Sequence, residues 1–453
     1  MIESSNEEKE QEANNLKVIG FSADNKGNFE FNANIFADFF LENVKLIIFQ
    51  DNFFYHYKAG IWQPITDRQV MRIIRKVINR AKPNLYQRQM GQNAIEILKL
   101  AAPERNEIDT DGRLINLKNG MLCLETYEMI DHSPDYYSTV QVPIIYDAAA
   151  KCPKFENFLW EIFEGDAGRI AVMQELMGYL LTTETKIHKA FFFYGDGANG
   201  KSVLLEIITM LVGRPNVSNI SLKDLEKPFN RAALMGKTVN IATENEVTGR
   251  GFDSQYLKAI VSGDGINVEK KFQDPISYSP ICKLIFATNN LPVSPDCSYG
   301  FYRRIMIIPF NKQFTAETAD IDLKNKLEGE LAGILNWSLM GLRRLRQQKY
   351  NFSESVFIDQ AFSKYKTEQN PMPEYIAERL IHSPGSRTKK CEIVDEYYAW
   401  CKENGIANES KMSSQRFWSI FRAGYKESGF VYSEQTSSGI RYLKNVLLKR
   451  ICR

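Results

Sequence analysis

At 453 residues, 44% apolar and 25% charged, the chain has ordinary globular composition and room for two to four domains. No apolar run approaches the ~18 residues of a membrane span, and the polar, acidic start lacks the basic region of a signal peptide, so neither export nor membrane insertion is expected. The 7 cysteines are scattered, never fall in C-x-x-C and stand beside only 4 histidines; no structural metal is expected, and reduced thiols fit a cytoplasmic protein.

The net charge of +2 says nothing about partners, but its distribution does. From Arg379 onward there are 14 Lys/Arg against 7 Asp/Glu, a local balance of +7, whereas the first 12 residues hold 5 acids and 1 lysine. A basic terminal module on a nearly neutral chain suits contact with an anionic polymer.

Residues 1–15 are polar and Glu/Asn-rich and read as a disordered tail. Residues 16–150 read as a mixed α+β domain. Two β-rich runs between Leu46 and Thr66 flank Lys58-Ala59-Gly60 and predict a hairpin. Val70, Ile73, Ile74, Val77 and Ile78 then recur at helical spacing. The interleaved Arg68, Arg72, Arg75, Lys76 and Arg80 are read as the wet side of that helix, with nucleic-acid contact as the second reading. Short strands follow from Ile115 to Asp147, and a boundary is expected near Ala148–Cys152. Two amphipathic helices, in KCPKFENFLWEIF and GRIAVMQELMGYLL, open a second domain spanning 151–350.

That domain is organised around AFFFYGDGANGKSVLL. An apolar strand (Ala190 to Tyr194) runs into Gly195-Asp196-Gly197-Ala198-Asn199-Gly200-Lys201-Ser202 and then into a helical pattern, the complete G-x-x-x-x-G-K-[ST] P-loop in its strand–loop–helix setting. Gly195, Gly197 and Gly200 permit the turns that aim backbone N–H groups at ATP phosphates. Lys201 supplies a cation for the β- and γ-phosphates, and Ser202 a hydroxyl ligand for Mg²⁺. Further strands end at Glu244-Asn245-Glu246 and at Thr288-Asn289-Asn290, and another follows Arg303-Arg304, an α/β parallel-sheet pattern with its site at the strand ends.

Phosphoryl transfer to water needs a held Mg²⁺, an oriented water and cations for the transition state. Glu244 is the candidate Walker B acid and Mg²⁺ partner, with Glu246 in reserve. Asn289 is placed to hold the attacking water, the alternative being a turn asparagine before Leu291-Pro292. Arg304, or its neighbour Arg303, is the candidate arginine finger toward an adjacent subunit. Between the second and third of these strands a projecting hairpin is expected, with Lys270, Lys271 and Phe272 near its tip, two cations and a ring suited to a single strand.

Residues 351–453 read as a winged-helix-like module, three helices and then a two-stranded wing. Lys411, Arg416 and Arg422 are its candidate phosphate contacts and Gln415 its base contact; a helical oligomerisation domain is the alternative.

GDGANGKS, NIATENE, the Lys258–Phe272 segment, KLIFATNNLP and GFYRRIMIIPF, in that order, resemble superfamily 3 helicases of the phage, plasmid and poxvirus primase-helicase branch. The resemblance covers roughly Leu114 to Phe310. It implies an AAA+-related ATPase that forms a homo-hexameric ring around DNA, moves 3′ to 5′ on single strands and works beside a separate primase or initiator. The stretch before Leu114 is too short for the primase domain many relatives carry, so no primer synthesis is expected. Glu-Asn-Glu departs from the family's adjacent acids, which leaves open which glutamate acts. Three rival readings remain at this point: an origin-binding initiator without processive unwinding, a P-loop small-molecule kinase, and a non-enzymatic DNA-binding scaffold.

Overall fold

Five short apolar strands come together as one parallel sheet. The computed structural model describes all residues except 1–10, 12, 25–27, 50–52, 244–251, 271–273, 295, 297, 316–319, 321, 405, 407–411, 428–430 and 450–453. Its central strands are β1 (Ala190–Tyr194), β2 (Val217–Ser218), β3 (Val239–Ala242), β4 (Lys283–Thr288) and β5 (Ile305–Pro309), hydrogen-bonded in the order β2-β3-β4-β1-β5 and all parallel. A parallel sheet must be covered on both faces, and strand alternation divides its residues between two cores. Phe191, Phe193, Ile241 and Ile285 join one core with the helices Pro153–Ile162, Ala167–Leu180, Lys201–Val212 and Leu331–Gln347. Ala190, Phe192, Leu284 and Phe286 face a second core with Leu257, Ile260, Phe301 and Tyr365.

β4 comes late in the chain yet inserts between β1 and β3. Tyr194 therefore pairs with Thr288, and the residues leaving these two strands emerge side by side.

Helices Ala167–Leu180 and Leu331–Gln347 touch backbone to backbone through glycines. A Cβ on Gly178 would lie 2.2 Å from the Ser338 carbonyl oxygen, and one on Gly341 2.1 Å from that of Gln174. Beside this contact the fully buried Glu175 accepts from Arg344 Nε at 2.6 Å and from the Ser353 hydroxyl and N–H at 2.6 and 2.8 Å.

The N-terminal unit has its own core. Helices Ala33–Asn43, Asp67–Ala81 and Arg88–Ala101 bury Phe36, Phe40, Ile74, Ile78, Ala94 and Leu98 against a four-stranded sheet. The expected hairpin is present: Lys58 pairs with Ile61 across Ala59 and Gly60, both at positive φ (52° and 81°), a two-residue turn whose twist matches that of the strands. Residues 13–18 are helical and Leu16 is buried, so helix begins within the stretch read as tail. Ile115, Leu117, Leu122, Val142 and Ile144 share a core with Phe155 and Phe158, whereas the N-terminal core ends at Ala102.

At the other end the helix Val356–Gln369 belongs to the sheet. Tyr365 lies in the second core and its hydroxyl donates to the Pro292 carbonyl at 2.7 Å, and a separate terminal core begins with Met372. It runs helix Met372–Arg379, strand Leu380–Lys389, helices Lys390–Glu403 and Ser414–Glu427, and strands Ser433–Ser437 and Ile440–Leu448 around a core of Tyr375, Tyr397, Trp400, Phe417 and Phe421. The first of these strands was not expected, since its Ser-Pro-Gly-Ser stretch breaks any strand pattern. It pairs with Ile440–Leu448 on both sides of an irregularity between His382 and Arg387. Among the described residues no helix is long and apolar enough to cross a membrane.

Two outcomes follow from the packing. Gly341→Ala forces the two helices apart and should lower unfolding free energy by about 1–3 kcal/mol, read from urea titrations; an unchanged midpoint contradicts the close contact. Lys283, fully buried with Nζ on the Thr182 carbonyl, has its pKa brought down from 10.5 to about 7 by burial. Between those values the unfolded chain holds the extra proton, so stability rises with pH across that window. Lys283→Met should flatten that rise in urea unfolding followed from neutral to alkaline pH.

Candidate functional site

The P-loop joins β1 to the helix Lys201–Val212 through positive φ at Gly197 (97°), Ala198 (46°) and Gly200 (82°), which turns successive N–H groups toward one centre. Gly200 is required twice over, because a Cβ there would also lie 2.6 Å from Ile162 Cγ2. The Cβ direction of Gly197 meets nothing within 4 Å, so the inside of the loop is open. Gly200 is the N-cap and offers no capping side chain; the first intrahelical bond is Leu204 N–H to the Gly200 carbonyl at 3.0 Å, and the amides of Ser202 and Val203 precede it. Buried Asn199 donates from Nδ2 to the Phe310 carbonyl at 3.4 Å, and the Phe314 N–H donates to the Ala198 carbonyl at 2.7 Å, so the chain leaving β5 backs the loop. Asp196 and Ser202 are exposed at its mouth.

Lys201 is 7% exposed. Its Nζ donates to the Gly195 carbonyl and, at 3.3 Å, to Asn289 Oδ1 at the end of β4. Burial lowers its pKa, and the nearby Asp196 only partly offsets that. A buried ammonium held by neutral oxygens is a strong attractor for an incoming anion. The open loop, the uncapped amides and this cation fit phosphate groups, and the Ser202 hydroxyl stands where it can ligate an accompanying cation.

A cavity of about 650 Å³ adjoins the loop, lined by Ala198, Gly200 and Val203 on one side, by Asn157, Phe158 and Glu161 of the helix Pro153–Ile162 on another, and by Phe314 and Leu323. From sequence this helix reads only as amphipathic. Its polar and apolar residues on one face carry no motif, and only the closeness of Gly200 to Ile162 reveals the second role.

The remaining candidates divide by location. Glu244, Glu246, Lys271, Phe272 and Lys411 lie outside the described residues. Arg303 and Arg304 stand at the opposite edge of the sheet: the Arg304 carbonyl accepts from Ala190 N–H at 2.8 Å, at the start of β1. From Ala190 to Gly195 is five residues, roughly 16 Å of strand, so neither guanidinium reaches the P-loop of its own chain. Arg304 donates to the Gly300 carbonyl at 2.7 Å and to the Ser262 hydroxyl at 3.1 Å, whereas Arg303 is exposed.

The hairpin is formed by strands Ile266–Val268 and Ile276–Tyr278. Lys270 beyond its first strand lies with Nζ 4.7 Å from the centre of the Phe53 ring in the N-terminal unit. Buried Arg231, not anticipated from sequence, donates twice to the Asn267 carbonyl (3.1 and 2.9 Å) and to the carbonyls of Leu225 and Glu226, and it stacks on Tyr256 at 3.8 Å. It pins the hairpin's base. In the terminal unit Gln415, Arg416 and Arg422 are all exposed on the helix Ser414–Glu427, Arg422 lying 3.9 Å from Glu434.

Comparison with known proteins places this arrangement. Residues 33–164 match a family described as D5 N terminal like, and residues 193–304 a family of unknown function, DUF5906. The chain is 22% identical over 381 residues to the provisionally named helicase L207/L206 of Acanthamoeba polyphaga mimivirus, covering 73% of this chain and 37% of the relative. It is 21% identical over 385 residues to the provisionally named primase C962R of African swine fever virus (isolate Tick/Malawi/Lil 20-1/1983), covering 77% and 40%. It therefore spans about two fifths of these curated relatives. The apo structure of the NrS-1 C terminal region (305-718) has the same fold, with a TM-score of 0.54 at 12% identity over 92% of this chain and 100% of that one. These likenesses support a place for the chain among the phage and viral primase-helicases.

The two P-loop glycines should separate by experiment. Gly200→Ala, strained in its backbone and placed 2.6 Å from Ile162, should lower the melting temperature further than Gly197→Ala, which is strained at φ 97° but meets no neighbouring atom; both should weaken triphosphate binding by calorimetry. Equal effects of the two on folding would contradict the geometry.

Proposed function

We propose that this chain is the motor of an ATP-dependent replicative DNA helicase from a phage, plasmid or other mobile element, a superfamily 3, AAA+-like P-loop ATPase acting as a ring, by family resemblance a hexamer moving 3′ to 5′ on single strands. One observation carries the reading. Lys201 and Asn289 meet at 3.3 Å at one end of the sheet, while the arginine pair that would complete the site stands at the other end and can serve only a second copy.

In this reading the P-loop amides and Lys201 grip the phosphates of ATP, and the cavity beside Phe158 and Phe314 takes the nucleoside. Ser202 and Glu244, with Glu246 in reserve, would hold Mg²⁺, which supplies charge neutralisation at the β- and γ-phosphates. Lys201 gives up its bonds to Gly195 and Asn289 for phosphate oxygens, and its burial makes that exchange favourable. Asn289, released, orients the attacking water at the γ-phosphate, and Arg304 or the more exposed Arg303 of a neighbouring copy stabilises the charge of the transition state. The hairpin bearing Lys270, Lys271 and Phe272, its base fixed by Arg231, is the element that grips single-stranded DNA. The terminal unit has helix, strand, two helices and a two-stranded wing; we read it as a winged helix presenting Gln415, Arg416 and Arg422, together with Lys411, to duplex. That exposed face also favours a second reading, an origin-binding initiator that assembles with ATP but does not unwind processively.

The test is ATP turnover and displacement of a long oligonucleotide from a 3′-tailed duplex by Lys201→Ala, Arg304→Ala and Arg303→Ala. Removing the finger should cost about 10³-fold or more in turnover, and mixing the finger variant with Lys201→Ala should restore a measurable fraction, because each supplies the half the other lacks. Coassembly without recovery contradicts the shared site. DNA-stimulated origin opening without displacement would favour the initiator.

A further inference from the structure

The helix Asp67–Ala81 carries Arg68, Arg72, Arg75, Lys76 and Arg80, all exposed, opposite a buried stripe of Val70, Ile74 and Ile78. At 100° per residue Arg68, Arg72 and Arg75 form one straight ridge, with Lys76 and Arg80 along its flank. Among the described residues none of the five has a hydrogen-bond or ion-pair partner. The helix's one acid, Asp67, is bonded at 2.7 Å to Lys99. The spacings 68/72, 72/76 and 76/80 each place like charges one turn apart, which destabilises a helix unless an anion from outside intervenes. The capping box of Thr66 and Gln69 and the buried stripe hold the helix in spite of that repulsion.

The position of this ridge names its ligand. Phe54 pairs with Ile65, so Phe53 lies across from Thr66, the N-cap of the helix. Phe53 is the ring on which Lys270 of the hairpin rests. The arginine helix thus begins directly after the strand that pairs beside Phe53, the ring that receives the hairpin. We propose that the helix Asp67–Ala81 is a second nucleic-acid track, binding the phosphate backbone of the strand that the hairpin engages and extending that contact by about 18 Å from Arg68 to Arg80. A lipid surface is disfavoured as the ligand because the helix's apolar face is buried in its own unit and has nothing to insert. The contact reads backbone charge and shape, with no base specificity, since one ridge of guanidinium groups in a row reaches phosphates rather than base edges.

The inference rests on the proposed function only in taking the polyanion to be DNA. It is tested on the full chain without ATP, by fluorescence anisotropy of a labelled oligonucleotide, single-stranded in one arm and duplex in the other, between about 50 and 200 mM salt. The triple variant Arg68→Gln/Arg72→Gln/Arg75→Gln should reduce the slope of log affinity against log salt by about 2 for the single strand, ~0.7 for each lost phosphate contact, and weaken binding at low salt at least tenfold. Arg72→Gln alone should remove about 0.7 from the slope, which keeps the test decisive if the triple variant folds poorly, and the triple Arg→Lys variant should retain the wild-type slope. Gln variants that bind both oligonucleotides with wild-type affinity and slope overturn the inference, as does a wild-type chain that binds neither. A chain that binds as expected but turns over no ATP would instead overturn the motor reading and leave the track standing.

Discussion

The parallel pairing of β4 with β1 is the constraint on which the nucleotide end of the molecule depends. It is a non-local contact between segments about ninety residues apart in the chain, and it alone sets Asn289 beside Lys201. β4 is buried along its whole length and β1 from Ala190 to Phe193, so a register slip of one residue would exchange the side chains of the two cores. That gives the register its precision. A single hydrogen bond of 3.3 Å at the strand ends would be a weak locator by itself; here the sheet does the locating and the bond reports it.

Around that sheet the loops are held by groups that would be costly to bury singly. Arg169, with no exposure, donates to the carbonyls of Pro309 and Phe163 and to the Asp166 carboxylate, so it ties the end of β5 to the turn before the helix Ala167–Leu180. Arg231 does the same at the hairpin's base. In each case a guanidinium satisfies carbonyls left over where a strand or turn ends, and the planar fork of donors reaches two chain segments at once.

Legibility from sequence followed the range of the interactions. The strand–glycine turn–helix of residues 190–212 was readable because its parts are all local, and the Ala59-Gly60 hairpin and the arginine helix were readable for the same reason. The cavity wall formed by Asn157 and Phe158 was not, because its meaning arises only where Gly200 meets Ile162. Nor were Gly178 and Gly341, whose lack of a side chain matters through a partner some 160 residues away. The strand Leu380–Lys389 was hidden by its own Pro and Gly; pairing with Ile440–Leu448 overrides that local preference. The core that Leu117 shares with Phe155 was not legible either, because composition changes near 148–152 while the packing runs across it.

The two ends of the sheet, taken together, constrain how the molecule could work. Its carboxyl edge gathers a phosphate cradle, a buried lysine and an asparagine; its amino edge presents an arginine pair too distant to serve the same cradle. On the proposed reading a lone copy binds triphosphate at this loop and has no second cation for the transition state. Stacking copies so that one amino edge meets the next carboxyl edge is a heterologous contact, and such contacts either close into rings or run on as filaments. On the proposed reading closure is the functional outcome, because only a closed ring keeps every hairpin facing one enclosed strand. Nucleotide then acts as a clamp between neighbours, and relief of the buried Lys201 charge on binding phosphate is the local free-energy change that the neighbour's arginine can sense.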